Sequence, residues 1–241
     1  MLSSLYNGNM SVLYILFFVF SGLFTASTIL NIIACGKKIR VMEYICRPAQ
    51  YVFMLAAELM VLIPRIPDSI HIIAALSFSV ASTMASSCIL LFPKKRKLLV
   101  TSISLLILSY LSFIHIIGPS FILFSLPGAA TACTITVYVL ILTLYYFFVT
   151  DTRNIIKSIA VILLMVPIII MHYGSLLTLF GQPRLYSILL TAGSTVLIIS
   201  QVMTSRGFFK RTSDNERLIK RIIQMVGLLF VTAGFTVMVC V

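Results

Sequence analysis

Charged side chains are scarce in this sequence. Only 10% of its 241 residues are Asp, Glu, Lys or Arg, and six of them are acidic. A soluble domain covers its surface with roughly 25% charged residues. This composition therefore excludes an ordinary water-soluble protein, and the mean hydropathy of +1.12 indicates that lipid is the main solvent of the chain.

Motifs for several kinds of chemistry are missing as well. There is no Walker loop, no GxGxxG and no Gly-x-Ser-x-Gly elbow. The five cysteines form no CxxC pair and no cluster with histidine, so we predict no metal and no cofactor. The net charge of +12 predicts no nucleic-acid partner, because the basic residues stand in short clusters between apolar runs, as in membrane proteins.

Long apolar runs are what the sequence has instead. About 20 apolar residues form a helix that crosses a bilayer, and Pro, Gly or basic clusters separate runs of that size. The sequence predicts an all-α, polytopic integral membrane protein, an eight-helix transmembrane bundle in a single domain over residues 1–241. The predicted spans are residues 12–35, 48–63, 70–92, 98–117, 120–149, 155–180, 185–205 and 218–241.

The fifth of these spans is long and contains Pro127-Gly128. We predict one helix with a kink at the proline. Two shorter helices are the alternative, and they would spoil the alternation of charge described next.

The lysines and arginines support the count of eight. Sixteen of the eighteen follow odd-numbered spans, and only Arg65 and Arg184 follow even-numbered ones. Loops rich in Lys and Arg stay on the cytoplasmic side. We predict that both termini are non-cytoplasmic and that the protein resides in a bacterial inner membrane or a plasma membrane.

Ionisable residues inside the spans are candidate functional residues, because a charge near the bilayer centre costs about 2.5–3.5 kcal/mol. Glu58 lies about 16 Å along the helix from Arg47, near the middle of the membrane. One interpretation is functional: Glu58 is a proton site, an ion site or a catalytic acid or base. The other is structural: Glu58 is protonated and hydrogen-bonded between helices. For His115 and His172 we favour interhelical hydrogen bonds.

Small polar residues repeat along the third span. Ser79, Thr83 and Ser87 recur at every fourth position, as do Ser82 and Ser86. One helix face is therefore small and polar, which favours close packing against another helix. A face that lines a ligand site is the alternative.

Several short motifs follow the order of the spans. Cys46-Arg47-Pro48 opens the second, residues 86–93 close the third with a proline, Ser200-Gln201 with Phe209 marks the seventh, and Arg217-Leu218 opens the last. In this order and spacing the chain resembles the YhhN, or lysoplasmalogenase-like, family of polytopic membrane proteins. The resemblance implies about eight helices and a hydrolase that cleaves the vinyl ether bond of lysoplasmalogens.

The resemblance also implies site residues. Ser87 and Gln201 stand at the positions of the family's two catalytic aspartates, and Ser109 stands at about the position of a family histidine. Arg47, Ser86 and Ser200 are the corresponding candidates for substrate binding. Membrane lipids, a lysophospholipid among them, are the implied partners.

The residues at these positions bear on the activity. Hydration of a vinyl ether needs an acid that protonates carbon and a base that activates water, and neither Ser87 nor Gln201 supplies either. This hypothesis has two versions. The chain is either an active hydrolase or a degenerate relative that only binds lipid, with a cytoplasm-facing pocket between the second, third and seventh helices. A small transporter or an ion- or proton-coupled protein that uses Glu58 is the alternative, and a structural membrane protein is the third.

Overall fold

The computed structural model describes residues 2–92, 96–149, 155–209 and 213–240. Every regular element in these ranges is helical. In chain order the elements are α1 (Leu2–Gly36), α2 (Arg40–Leu62), a 3₁₀ turn (Ile63–Arg65), α3 (Ile66–Leu91), α4 (Arg96–Ile117), α5 (Ser120–Leu123), α6 (Gly128–Val149), α7 (Ile155–Gly181), α8 (Leu185–Phe209) and α9 (Asp214–Cys240).

Within the described ranges, eight helices, all except α5, are long and apolar enough to cross a membrane. Large apolar side chains cover their outer surfaces, as Phe18 on α1 and Phe147 on α6 illustrate. Such surfaces suit lipid rather than water. The prediction of an all-α, multi-pass membrane protein is confirmed. Several residues of the predicted basic loops lie outside the described residues: Lys94, Lys95, Arg153, Lys210 and Arg211.

Two compact units divide the chain, unit 1 over residues 1–112 and unit 2 over residues 113–241. Unit 1 holds α1 to α3 and most of α4. Unit 2 holds the last residues of α4 and the helices from α5 to α9. The single membrane domain that the sequence predicts stays a prediction.

In unit 1, polar contacts join each helix to the next. Asn31 Nδ2 of α1 donates a hydrogen bond of 3.2 Å to Gln50 Oε1 of α2. Tyr44 Oη of α2 lies 4.0 Å from Cys88 Sγ of α3. Because Tyr44 is near the start of α2 and Cys88 is near the end of α3, the two helices form an antiparallel hairpin around the 3₁₀ turn.

The start of α2 differs from the prediction. The helix begins at Arg40 rather than at Pro48, so Arg47-Pro48 lies inside it instead of closing a loop. A proline in a helix removes one backbone hydrogen bond, and α2 continues past this loss. As a result Glu43, which falls in the predicted loop, occupies the first turn of a helix and is fully buried.

The predicted fifth span is also different. Residues 120–149 form the one-turn helix α5 and the membrane-length helix α6, with no helix over residues 124–127. Phe124 is extended, with φ −122° and ψ 137°. Pro127 explains the break, because a proline drives the residue before it out of the helical region. Two helical pieces are therefore present, and only the second is long enough to span, so the count of eight holds.

Two glycines on α7 allow close contact with the segment that precedes α6. A Cβ atom on Gly174 would lie 2.4 Å from Ile117 Cγ2, and one on Gly181 would lie 2.0 Å from Phe124 Cδ1. Thr178, between these glycines, donates a hydrogen bond of 2.8 Å to the hydroxyl of Ser120. The broken segment is thus held on α7 by close packing and by one side-chain hydrogen bond.

Helices α8 and α9 of unit 2 meet through glycines on both sides. A Cβ on Gly193 would lie 2.7 Å from the backbone nitrogen of Val231. Leu197 packs against Gly227, and Leu190 packs against Gly234. These three contacts fix one antiparallel register, and they allow backbones to approach as closely as small-residue interfaces do in membranes.

Gly193→Ala tests this packing. The added methyl group meets backbone atoms of α9 that cannot rotate away, so we expect a loss of about 1–3 kcal/mol in the free energy of unfolding, the usual cost of overpacking. Thermal unfolding in detergent, followed by circular dichroism, measures the change. Gly22→Ala is the matched control, because nothing lies within 4 Å of a Cβ at Gly22. Equal stability of the two variants would contradict the proposed contact.

Candidate functional site

The candidate site residues of unit 1 gather at one end of the α2–α3 hairpin. We call this the basic end of unit 1: the α1–α2 turn with Lys37 and Lys38, the first turns of α2, and the end of α3. The contact between Tyr44 and Cys88 brings the first turns of α2 level with the end of α3. Arg47 and the Ser86-Ser87 pair therefore lie at the same end of one hairpin.

Ser87 is unusual at this end. The residue is 1% exposed, and its hydroxyl has no hydrogen-bond partner among the described residues. A buried hydroxyl without a partner costs roughly 1–3 kcal/mol, so most are paired. In the described chain only two other buried side-chain atoms share this condition, Thr28 Oγ1 and Tyr138 Oη.

Glu43 is the residue that sequence reasoning missed. It is completely buried, whereas Arg47 one turn later is half-buried. A Glu four residues before an Arg places the two side chains as neighbours on one helix face, in the favourable order. That spacing is visible in the sequence, but it has no meaning until residues 43–47 are recognised as helical.

The small polar face of α3 packs partly against α4. Ser79 Oγ lies 2.7 Å from the hydroxyl of Ser109, and Ser82 Oγ donates to the carbonyl oxygen of Ser102 at 2.7 Å. Ser102 Oγ returns a hydrogen bond of 3.0 Å to the carbonyl oxygen of Ser82. Close packing, the interpretation favoured from the sequence, holds for these residues, and Ser109 serves here as a buried packing residue.

Other hydroxyls of this face bond within α3. Thr83 donates to the carbonyl oxygen of Ser79 at 2.8 Å, and Ser86 donates to that of Thr83 at 3.0 Å. Ser87 is the next member of the row formed by Ser79 and Thr83. It is the one member of that row whose hydroxyl bonds neither to α4 nor to a backbone carbonyl of α3.

In unit 2, Gln201 belongs to a buried polar cluster. Gln201 Nε2 donates a hydrogen bond of 3.4 Å to Ser205 Oγ, and the hydroxyl of Tyr145 on α6 donates to the same Ser205 oxygen. The glycine register between α8 and α9 places Arg221 level with residues 201–205. Arg221 is only 8% exposed, which is rare for an arginine. The sequence placed Arg221 only among the sixteen basic residues that follow odd-numbered spans.

The site residues therefore fall into two groups. Arg47, Ser86 and Ser87 share the basic end of unit 1, and Ser200 and Gln201 are adjacent buried residues of α8 in unit 2. Glu58 stands apart from both groups. It is half-buried and lies three turns beyond Arg47 on α2, toward the 3₁₀ turn.

The two candidate histidines have different surroundings. His172 on α7 makes the interhelical hydrogen bond that we predicted, since its Nδ1 lies 3.1 Å from Ser194 Oγ on α8. His115, near the end of α4, is exposed. In the part of the chain that the structure describes, no group of three or more His, Cys, Asp or Glu side chains is placed to hold a metal ion.

Comparison with known proteins identifies no relative of this chain. The chain matches no protein-family model, no curated protein and no solved structure.

The contact between Ser79 and Ser109 can be measured by a double-mutant cycle. Because each hydroxyl bonds the other, we expect the two alanine substitutions to be coupled by about 0.6 kcal/mol, a typical value between membrane helices. Unfolding in mixed detergent micelles gives the free energies. Ser104→Ala, at an exposed position of α4, is the control partner and should be additive with Ser79→Ala. Additivity of the Ser79–Ser109 pair would rule the contact out.

Proposed function

We propose that the chain is a multi-pass membrane protein that binds a lysophospholipid, with the lipid headgroup at the basic end of unit 1. The observation that carries the proposal is the hydroxyl of Ser87, which is 1% exposed and has no hydrogen-bond partner among the described residues. It lies at the same end of the α2–α3 hairpin as Arg47. An oxygen of a headgroup would accept its hydrogen bond.

The neighbouring charges suit a phosphate. A guanidinium such as that of Arg47 forms short, charge-assisted hydrogen bonds to phosphate oxygens. Lys37 and Lys38 add positive charge in the adjacent turn, and basic clusters of this kind attract anionic headgroups. The buried Glu43 gives the same end one negative group, one turn before Arg47 on the same helix face.

Unit 2 supports lipid binding by an independent observation. Arg221 is almost completely buried, at the level of Gln201 and Ser205 on α8. A cation, an amide and two hydroxyls in an apolar environment form a set that also suits a phosphate. We propose that this cluster is a separate phosphate site within unit 2, which Arg221→Gln should weaken.

Hydrolysis of the bound lipid is not part of the proposal. Neither Ser87 nor Gln201 supplies the acid or the base that cleavage of a vinyl ether needs. Glu43 is one buried carboxyl group at the same end of the hairpin as Ser87, and a second is needed for the pair. We therefore infer a lipid-binding protein that resembles lysoplasmalogenases in the order of its motifs and lacks their turnover.

Binding of a fluorescent lysophosphatidylethanolamine to the protein in nanodiscs tests the proposal. Removing a charge-assisted hydrogen bond costs about 1.5–3 kcal/mol, so we expect Arg47→Gln to weaken binding by roughly 10- to 100-fold. Arg65→Gln is the matched control, because Arg65 lies on the same hairpin at its opposite end and is exposed. Equal loss in both variants would indicate a general charge effect and would contradict a site at Arg47.

The same preparations decide between binding and catalysis. We expect no release of aldehyde from lysoplasmalogen by the wild-type chain, because the acid–base pair is missing. The double variant Ser87→Asp with Gln201→Asp restores two carboxylates at the positions that the resemblance assigns, and activity in that variant would support the resemblance. Turnover by the wild-type chain would overturn the non-enzymatic version.

We further propose that the loops after odd-numbered spans face the cytoplasm, that both termini lie outside it, and that the membrane is a bacterial inner membrane or a plasma membrane. The distribution of Lys and Arg supports this orientation. A periplasmic phosphatase reporter fused after Val241 should be active, and one fused after Lys38 should be inactive. The opposite pattern would reverse the orientation.

Glu58 supports a second candidate function, proton- or ion-coupled transport. Its side chain is half-buried one turn before the end of the membrane-length helix α2, and carboxyl groups inside membrane helices often serve transport. This version expects that Glu58→Gln abolishes a proton- or ion-coupled flux in proteoliposomes. A flux that is absent, or unchanged by the substitution, would remove this candidate.

A further inference from the structure

A third polar cluster lies in the middle of unit 2, away from the helix ends that carry its charges. Tyr138 is on α6, His172 is on α7 and Ser194 is on α8, each near the centre of a helix that is long enough to cross a membrane. The rings of Tyr138 and His172 meet edge to face, with centroids 5.8 Å apart and an interplanar angle of 75°. The proposed lipid site does not use this cluster.

The tyrosine hydroxyl in the cluster lacks a partner. Tyr138 is 9% exposed, and its buried Oη has no hydrogen-bond partner within the described residues. A phenol can donate one hydrogen bond and can also accept one. The nearest aromatic neighbours, His172 and Tyr173, contact the ring of Tyr138. The hydroxyl is therefore an available donor inside the unit.

The surroundings of Ser194 fix the state of the histidine. Ser194 Oγ donates a hydrogen bond of 3.0 Å to the carbonyl oxygen of Thr191, and it lies 3.1 Å from His172 Nδ1. A hydroxyl has a single hydrogen. Because that hydrogen is used in the bond to Thr191, the contact with His172 is a hydrogen bond only if Nδ1 carries a proton and donates it to Ser194 Oγ. In neutral imidazole the other ring nitrogen, Nε2, is then a hydrogen-bond acceptor.

We propose that Tyr138 and His172 form a site for a neutral hydroxyl group, which accepts a hydrogen bond from Tyr138 Oη and donates one to His172 Nε2. A hydroxyl group is both donor and acceptor, as this pair of side chains requires. The charged residues of unit 2 whose side chains the structure describes stand near helix ends: Arg184, Arg206, Glu216, Arg217, Lys220 and Arg221. A charged ligand would therefore find no countercharge in the cluster.

The surface of α6 indicates how such a ligand arrives. Val137 and Val139 flank Tyr138 in sequence, and both are more than half exposed. This helix thus presents apolar side chains to the lipid on either side of a buried hydroxyl. Two molecules supply the required chemistry from that side, a long-chain alcohol dissolved in the bilayer and a water molecule that has entered it.

Solid-state nuclear magnetic resonance of the full chain in bilayers, with ¹⁵N-labelled histidine, tests the site. His172→Asn identifies the His172 signals by their loss. We expect a protonated Nδ1 and an unprotonated Nε2 in the wild type. We also expect that Tyr138→Phe shifts the Nε2 resonance, because the bound hydroxyl loses one of its two partners. Tyr146→Phe, an exposed tyrosine on the same helix, should leave the resonance unchanged.

Two further measurements distinguish the ligand sources. If a lipid-phase alcohol is the ligand, added dodecanol shifts the Nε2 resonance saturably in the wild type and not in Tyr138→Phe. If water is the ligand, Nε2 receives magnetisation from water protons and dodecanol has no effect. Either result supports the site. If neither the dodecanol shift nor the transfer from water is observed, or if Nε2 carries a proton in the wild type, the proposed site is wrong.

Ser194→Ala gives an independent check that does not alter Tyr138. Without the serine oxygen the proton on Nδ1 loses its acceptor, so the population with the proton on Nε2 should increase. An unchanged tautomer in this variant would show that Ser194 does not set the state of His172, and the proposal would lose its basis.

Discussion

The constraint on which the structure depends is the fate of polar groups inside apolar helices. A bilayer offers few hydrogen-bond partners, so each polar side chain has to find one within the protein or carry a cost. Most polar contacts of this chain obey that rule. Asn31 meets Gln50, Ser79 meets Ser109, and His172 meets Ser194, each pair joining two helices. These pairs fix which helices are neighbours where apolar side chains alone would leave the choice open.

Close packing supplies the rest of the specificity. Helices surrounded by lipid gain little from burying apolar area, because lipid is as apolar as their side chains. Glycines allow dense contact instead: Gly193, Gly227 and Gly234 bring α8 and α9 together, and Gly174 and Gly181 seat the broken segment on α7. The buried hydroxyls that lack a hydrogen-bond partner are therefore candidates for binding a ligand. The unpartnered hydroxyls of Ser87 and Tyr138 each lie at a site for which this chain offers further donors or acceptors.

The two proposed sites differ in chemistry because they differ in depth. Ser87 lies at an end of its helix, near Arg47 and the basic α1–α2 turn, where a charged headgroup can be neutralised. Tyr138 and His172 lie near the centres of α6 and α7, among neutral side chains. Charge near the bilayer centre is costly, so only a neutral group suits that position. The first proposed site therefore lies at helix ends, and the second lies near helix centres.

The helical class, the number of membrane-length helices and most of their turns could be predicted from the sequence, because hydropathy, Pro and Gly act locally. That prediction failed at Pro48 and Pro127, where a local rule could not decide: the first proline lies inside a helix and the second separates two. Only the tertiary structure showed that Glu43 and Arg221 are buried and that the Ser87 hydroxyl lacks a partner. Burial and pairing depend on neighbours distant in sequence, and no periodicity within one helix reports which side chains another helix brings.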